Sequence, residues 1–138
     1  MKGTKLEKKL KHLELVQAVV NRLSQNSFLL KGWSVVLLAA LLTLAANNES
    51  ARYTLIAFVP LLVFWCLDGY FLHHERLFRK LYDHVRELEE DNVDFEMNHV
   101  GFAQEARSYA DALLSKTLLF FHGTLLVVLV CVTIVLLR

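Results

Sequence analysis

Two charged residues lie inside long apolar stretches of the sequence. Lys31 falls near the start of the stretch 28–46, and Asp68 falls near the end of the stretch 53–72. A charge at the centre of a bilayer costs roughly 2.5–3.5 kcal/mol on insertion scales, so such residues are usually paired or functional. In an antiparallel hairpin, Lys31 and Asp68 would lie at the same depth in the membrane. We therefore predict a Lys31–Asp68 pair that fixes the hairpin. Separate contacts of each group with lipid headgroups, or an ion or proton pathway at Asp68, are the alternatives.

Small and aromatic residues surround these two positions. Small residues let helices approach closely in membranes. We expect close helix packing at three glycines: Gly32, Gly69 and Gly123. Aromatic and imidazole rings gather where lipid meets water. We expect five such residues at the interface: Trp33, Trp65, His73, His74 and His122. For His122, a pH-sensitive role and a hydrogen-bonded structural role are both compatible with the sequence.

Other clusters suggest chemistry but lack the spacing it requires. His73, His74 and Glu75 could bind a metal with His84, yet adjacent helical residues face different directions, so solvated side chains are favoured. Residues 79–84 have the Arg-x4-His form of HEPN ribonucleases, but an Arg79–Asp83 pair on one helix face is the simpler interpretation.

The acidic segment 87–96 favours a solvated turn over a site for divalent cations or a basic partner. An EF-hand would need alternating ligands and a central glycine, and we expect neither in this segment. Cys66 and Cys131 belong to no zinc motif, and there is no phosphate loop or Ser/His/Asp set. We therefore expect no cofactor, no metal and no enzymatic activity.

The elements that position these residues are apolar helices. Of the 138 residues, 55% are hydrophobic and 21% are charged. The stretches 28–46, 53–72 and 118–137 contain only two charged side chains between them. About 20 apolar residues span a hydrocarbon core of roughly 30 Å. The sequence therefore predicts an all-α membrane protein with three transmembrane helices, the first two forming a hairpin. Asn47 can end one helix of the hairpin and Ser50 can start the next.

The distribution of Lys and Arg predicts the orientation. Thirteen of the fifteen lie before residue 32 or within 73–117, and the other two are Arg52 and Arg138. Positive residues accumulate on the cytoplasmic side. We therefore expect the N-terminus and 73–117 in the cytoplasm, and the C-terminus outside the inner membrane. A net charge of +1 gives no reason to expect nucleic-acid binding.

The cytoplasmic segments carry helical periodicity. Residues 1–27 form a basic amphipathic helix, which either lies on the anionic leaflet or packs against the other cytoplasmic helices. This helix either continues into the first span or ends before a cap at Ser27. Residues 73–117 form a helical hairpin, whose second helix is expected to run unbroken from Asn98 into the third span at 118–138. The apolar faces of these helices are wide for so small a unit, which suggests coiled-coil-like self-association.

The sequence also resembles a family. Asn26-SFLLKGWSVVLLAALLTLAA-Asn47 and Phe64-WCLDGYFLHHERLFRKLYDHVR-Glu87, with His12-LELVQAVVNRLSQNS upstream, resemble uncharacterised small bacterial membrane proteins from mobile or defence-associated gene neighbourhoods, some with TIR-like neighbours. The resemblance covers about residues 12–87 and assigns no activity. It places seven residues in a recurring pattern: Lys31, Gly32, Trp33, Asp68, Gly69, Tyr70 and Arg76.

These features predict a small homo-oligomeric effector of the inner membrane. We expect it to perturb the bilayer or form a pore in response to a cytoplasmic protein or nucleotide signal, as anti-phage effectors do. The alternatives are a non-catalytic anchor or adaptor for a cytoplasmic enzyme, and a small channel or transporter subunit.

Overall fold

The computed structural model describes residues 2–47 and 51–137, without the side chains of Lys2 and Ala51. Four α-helices follow one another: α1 (Lys2–Asn47), α2 (Ala51–Glu87), α3 (Tyr109–Leu113) and α4 (Lys116–Leu136). Two 3₁₀ turns lie between α2 and α3, at Glu90–Asn92 and Val100–Phe102. The described residues contain no β-strand, as the all-helical prediction requires. Three helices, α1, α2 and α4, are long and apolar enough to cross a membrane.

The bounds of α1 show whether the N-terminal helix continues into the first span or ends before a cap at Ser27. α1 continues without a break through Ser27, so Ser27 does not cap a separate span. Asn47 is the last described residue of α1, and the predicted helix start at Ser50, like Arg138, lies outside the described residues. Likewise, α2 extends to Glu87, and it remains helical through Pro60.

The predicted unbroken helix from Asn98 into the third span is wrong. The chain instead forms the second 3₁₀ turn, the five-residue α3 and a new helix start at Ser115. Ser115 has extended backbone angles (φ −62°, ψ 148°), and its Oγ accepts a hydrogen bond from Leu118 N at 3.4 Å. A serine that bonds the first free N–H groups favours the start of a new helix over continuation of the old one.

The chain divides into two compact units. We call residues 27–70 and 109–138 the apolar unit, and residues 1–26 and 71–108 the polar unit. The core of the apolar unit contains Leu38, Ala57, Leu61 and Leu129. Those residues come from α1, α2 and α4, so the three long helices of this unit share one core.

The core of the polar unit contains Val16, Leu81 and Val85, and Phe102 and Met97 pack against it. Val16 lies on the amphipathic helix predicted at 1–27, so part of that helix packs here. Nearer the N-terminus of the same helix, Leu6 and Leu10 are about half exposed.

Candidate functional site

The candidate site of the apolar unit is centred on Asp68, whose side chain is completely buried. Its Oδ1 accepts a hydrogen bond from Ser27 Oγ at 2.5 Å. Its Oδ2 lies 2.6 Å from Lys31 Nζ and 3.0 Å from His122 Nε2. One carboxylate therefore joins α1, through Ser27 and Lys31, to α4, through His122.

Lys31 and Ser27 reach Asp68 together because of their spacing on α1. Residues four apart lie on the same face of an α-helix. Lys31 Nζ donates to Ser27 Oγ at 2.8 Å, and it also lies 6.0 Å from the ring centroid of Phe121. The Lys31–Asp68 contact is the one expected from the hairpin. Ser27 was expected only as a possible cap, and its i,i+4 spacing from Lys31 is the signal that would have identified it.

His122 completes the set from α4. It is fully buried within the apolar unit. Its expected place where lipid meets water stays a prediction. Its ring stacks on Trp65 (centroids 5.7 Å apart, 10° between planes) and meets Phe121 edge-on at 5.0 Å. Because Asp68 is an acceptor when ionised, the proton of a neutral His122 lies on Nε2. Its Nδ1 has no hydrogen-bond partner within the described residues.

The charges of this network balance. Lys31 and Asp68 form a neutral pair, and Ser27 and His122 occupy two further acceptor positions of the carboxylate. Removing one member of such a buried pair is costly because the other charge is left uncompensated. The arrangement can therefore hold three helices together.

Gly69, next to Asp68, is packed tightly. A Cβ atom built there would lie 2.5 Å from Leu113 Cδ2, so α3 packs against the glycine. Trp65 Nε1 donates to Leu113 O at 3.0 Å, and Tyr109 Oη donates to Cys66 O at 2.8 Å. These contacts fix α3 on α2.

The other two glycines do not behave as expected. A Cβ atom at Gly32 or Gly123 would meet nothing within 4 Å in the described part of the chain. Neither glycine therefore allows a close approach between helices of a single copy. Trp33 is largely exposed, and its expected place where lipid meets water stays a prediction.

In the polar unit, the imidazoles of α2 meet a residue that the sequence analysis missed. The His74 ring lies 5.6 Å from His73 and 5.5 Å from His99, and His99 packs on Phe78 at 4.6 Å. Burial, and then the neighbouring His74, lowers the pKa of His99 from 6.5. No group of three His, Cys, Asp or Glu in residues 2–47 and 51–137 is arranged to hold a metal ion.

The Arg-x4-His segment has ordinary surface contacts. Arg79 bonds Glu75, with Nη2 and Oε1 2.8 Å apart, and does not form the expected pair with Asp83. Asp83 instead lies 3.6 Å from Arg86, and the His84 ring packs on Phe102. Glu75 offers the same four-residue spacing on the N-terminal side, which is the favoured order for an acid and a base on a helix.

Comparison with known proteins gives no relative: no protein-family model, no curated protein and no solved structure matches this chain.

Proposed function

We propose that the chain is a three-span protein of the bacterial inner membrane, crossed by α1, α2 and α4. The supporting observation is how little of these helices the chain covers. Only 17%, 22% and 22% of the residues in their most apolar segments are buried. Apolar helix faces left open in water would be strongly unfavourable, whereas lipid chains solvate them without cost.

The polar unit lies in the cytoplasm in this proposal, with the C-terminus outside. Thirteen of the fifteen Lys and Arg residues belong to the polar unit or to segments adjoining the same ends of the helices. The positive-inside rule assigns those ends to the cytoplasmic face. Three spans place the C-terminus on the opposite side from the N-terminus.

The protein acts as a homo-oligomeric effector that perturbs the membrane barrier when its polar unit receives a signal. The observation behind this function is the Ser27–Lys31–Asp68–His122 network, which places ionisable groups within the apolar unit. Within one copy Asp68 and His122 are fully buried, whereas the Lys31 side chain is 19% exposed. Repacking of several copies would turn the same groups toward a shared opening. Such a mechanism needs no catalytic group.

An adaptor function is the second candidate, and a different observation favours it. Leu6, Leu10 and Leu15 on the N-terminal part of α1 are each about half exposed. Exposed leucines in a polar segment are typical of a surface that binds another protein. In that case the spans would serve only to anchor a cytoplasmic enzyme.

Reconstitution into dye-loaded vesicles separates the two functions. The full chain would be compared with Asp68→Asn, which weakens the link among the three helices without adding bulk. The effector function predicts dye release that increases with protein density and is faster for Asp68→Asn. The matched control is Asp91→Asn, which removes an exposed carboxylate of the polar unit and should release dye at the rate of the unchanged chain.

Tight vesicles at every protein density, for all three proteins, would contradict the effector function. The same result with a stable complex between the chain and a cytoplasmic enzyme would support the adaptor instead. In cells, a voltage-sensitive dye during induced expression gives the corresponding measurement of membrane potential.

A further inference from the structure

The polar unit contains a partly enclosed cavity of about 140 Å³. One wall consists of the segment after α2, where four residues with side-chain oxygens alternate along the chain and line the cavity: Asn92, Asp94, Glu96 and Asn98. The expectation that this acidic segment lacks alternating ligands is therefore wrong. The four residues are spaced two apart in the sequence, and the residues between them do not line the cavity.

The cavity wall is acidic and lacks a compensating cation. Asp94 and Glu96 form no ion pair within the described residues, and no Lys or Arg lines the cavity. The nearby lysines of α1 are occupied elsewhere: Lys5 pairs with Asp91, and Lys9 donates to Leu88 O at 2.7 Å. Two carboxylates therefore face one cavity with their charge unbalanced.

The opposite walls are apolar and aromatic. Leu81 and Val85 of α2 and the rings of Phe102 and His84 line them. The two rings pack on each other with centroids 5.3 Å apart. An aromatic ring attracts a cation that lies over its face. The cavity therefore combines acidic acceptors with a surface that binds the apolar part of a ligand.

His12 of α1 is a second, independent indication of a ligand. It lines the cavity and is 1% exposed, and its Nδ1 has no hydrogen-bond partner in the described part of the chain. Its Nε2 lies 3.0 Å from Glu96 O, and its ring packs on Phe95. Phe95 has a φ of 59°, a left-handed conformation that is strained for an aromatic residue. Strain of this kind is concentrated at ligand-binding and switch segments.

We propose that this cavity binds a small organic cation with several N–H donors, such as an amine or a guanidinium. Asp94 and Glu96 would accept its N–H groups, the side-chain oxygens of Asn92 and Asn98 would add neutral acceptors, and the apolar walls would hold its carbon chain. A bare metal ion is a poorer fit, because no three His, Cys, Asp or Glu side chains converge within the described residues. The volume also exceeds that of one ion, since a water molecule occupies about 30 Å³ in the liquid.

The role of the ligand as the cytoplasmic signal rests on the proposed function, but the binding itself does not. Binding itself requires no membrane activity. A chain that binds the cation and leaves vesicles tight would refute the effector function alone, and a leaky chain without binding would refute the cavity alone.

The test is calorimetric titration of the detergent-solubilised full chain with agmatine, which carries one guanidinium and one amine. An uncharged diol of the same length, CaCl₂ and MgCl₂ serve as comparisons. The double variant Asp94→Asn/Glu96→Gln removes both charges. Its new amide oxygen at position 94 can still accept from Glu96 N, as the Asp94 carboxylate does at 2.9 Å. The matched control Glu7→Gln/Glu14→Gln removes two exposed charges outside the cavity.

We expect agmatine to bind and the cavity variant to lose at least about tenfold in affinity, because hydrogen bonds to charged groups contribute roughly that factor each. The control variant should remain within about twofold. Equal binding of the diol, equal loss in the control, or preferential binding of Ca²⁺ or Mg²⁺ would each overturn the proposal. Circular dichroism of each variant verifies that a loss does not come from unfolding.

Discussion

The two units of the chain place their polar groups in opposite ways. Five of the six buried polar residues in the described part of the chain belong to the apolar unit: Ser34, Thr54, Asp68, His122 and Thr133. Ser34 and Thr133 donate to carbonyl oxygens four residues earlier, so their hydroxyls are satisfied within their own helices. In the polar unit the core is formed by Val16, Leu81 and Val85, and the charges lie outside.

This difference agrees with the proposal that lipid solvates the apolar unit and water solvates the polar unit. A Lys–Asp pair occurs in both, which allows a direct comparison. In the apolar unit the Lys31 and Asp68 side chains are 19% and 0% exposed, whereas Lys5 and Asp91 of the polar unit are 45% and 64% exposed. The same two residue types should therefore contribute very differently to stability.

The largest effect is expected at Asp68. Asp68→Leu leaves the Lys31 ammonium and His122 without their acceptor, which should cost about 3–5 kcal/mol, the range for breaking a buried pair. Unfolding by a denaturing detergent, followed by circular dichroism, measures the free energy. Lys31→Met/Asp68→Leu should recover part of the loss. If the effects of Asp68→Leu and of Lys31→Met, each measured alone, simply add up to the effect of the double variant, the two residues are not coupled.

Gly69 gives the next largest effect. Gly69→Ala places a methyl group against Leu113 and should cost about 1–3 kcal/mol, as overpacking usually does. Gly32→Ala is the matched control, since a Cβ there meets open space. It should be neutral or stabilising by up to about 1 kcal/mol in the same detergent titration. Equal destabilisation by both would mean that α3 is not packed on Gly69.

The exposed pair of the polar unit should contribute little. Asp91→Asn removes the partner of Lys5 and should cost under about 1 kcal/mol, because water and salt screen exposed charges. Raising the salt concentration should abolish the difference in Asp91→Asn but leave the Asp68→Leu effect nearly unchanged. A salt-independent loss at Asp91 would contradict the contrast between the two pairs.

The smallest effect concerns pH and the polar unit. The pKa of His99 is lowered in the folded chain, so the unfolded chain binds more protons between that pKa and 6.5. Stability should therefore fall as the pH drops through this interval, by well under about 1 kcal/mol because His99 is partly exposed. Thermal midpoints at neutral and mildly acidic pH measure this. His99→Gln should reduce the dependence of the thermal midpoint on pH. If this dependence stays unchanged, other titratable groups cause it.

Part of this architecture follows from the sequence and part does not. The three long helices and the Lys31–Asp68 contact follow from the length of the apolar stretches and the depth of two charges. The break at Ser115 does not, because a local hydrogen bond to Leu118 N outweighs a continuous apolar pattern. His122 could not be placed beside Asp68 either, since its position depends on how α4 packs against α2.

The glycines show the same limit. Nothing in their sequence neighbourhood distinguishes Gly69, which touches Leu113, from Gly32 and Gly123, where a Cβ would touch no other segment that the structure describes. The acidic cavity was missed for a related reason. The alternation from Asn92 to Asn98 is visible in the sequence, but the cavity also needs His12, which is 80 or more residues away along the chain.

The topology of the chain in a bacterial membrane is the most direct test of the claim that lipid solvates the apolar unit. A reporter enzyme that is active only outside the cytoplasm would be fused after Arg138 and, in a second fusion, inserted near Asn92. The account predicts activity for the first fusion and none for the second. Activity only for the second fusion, or a chain that stays in solution without detergent, would contradict it.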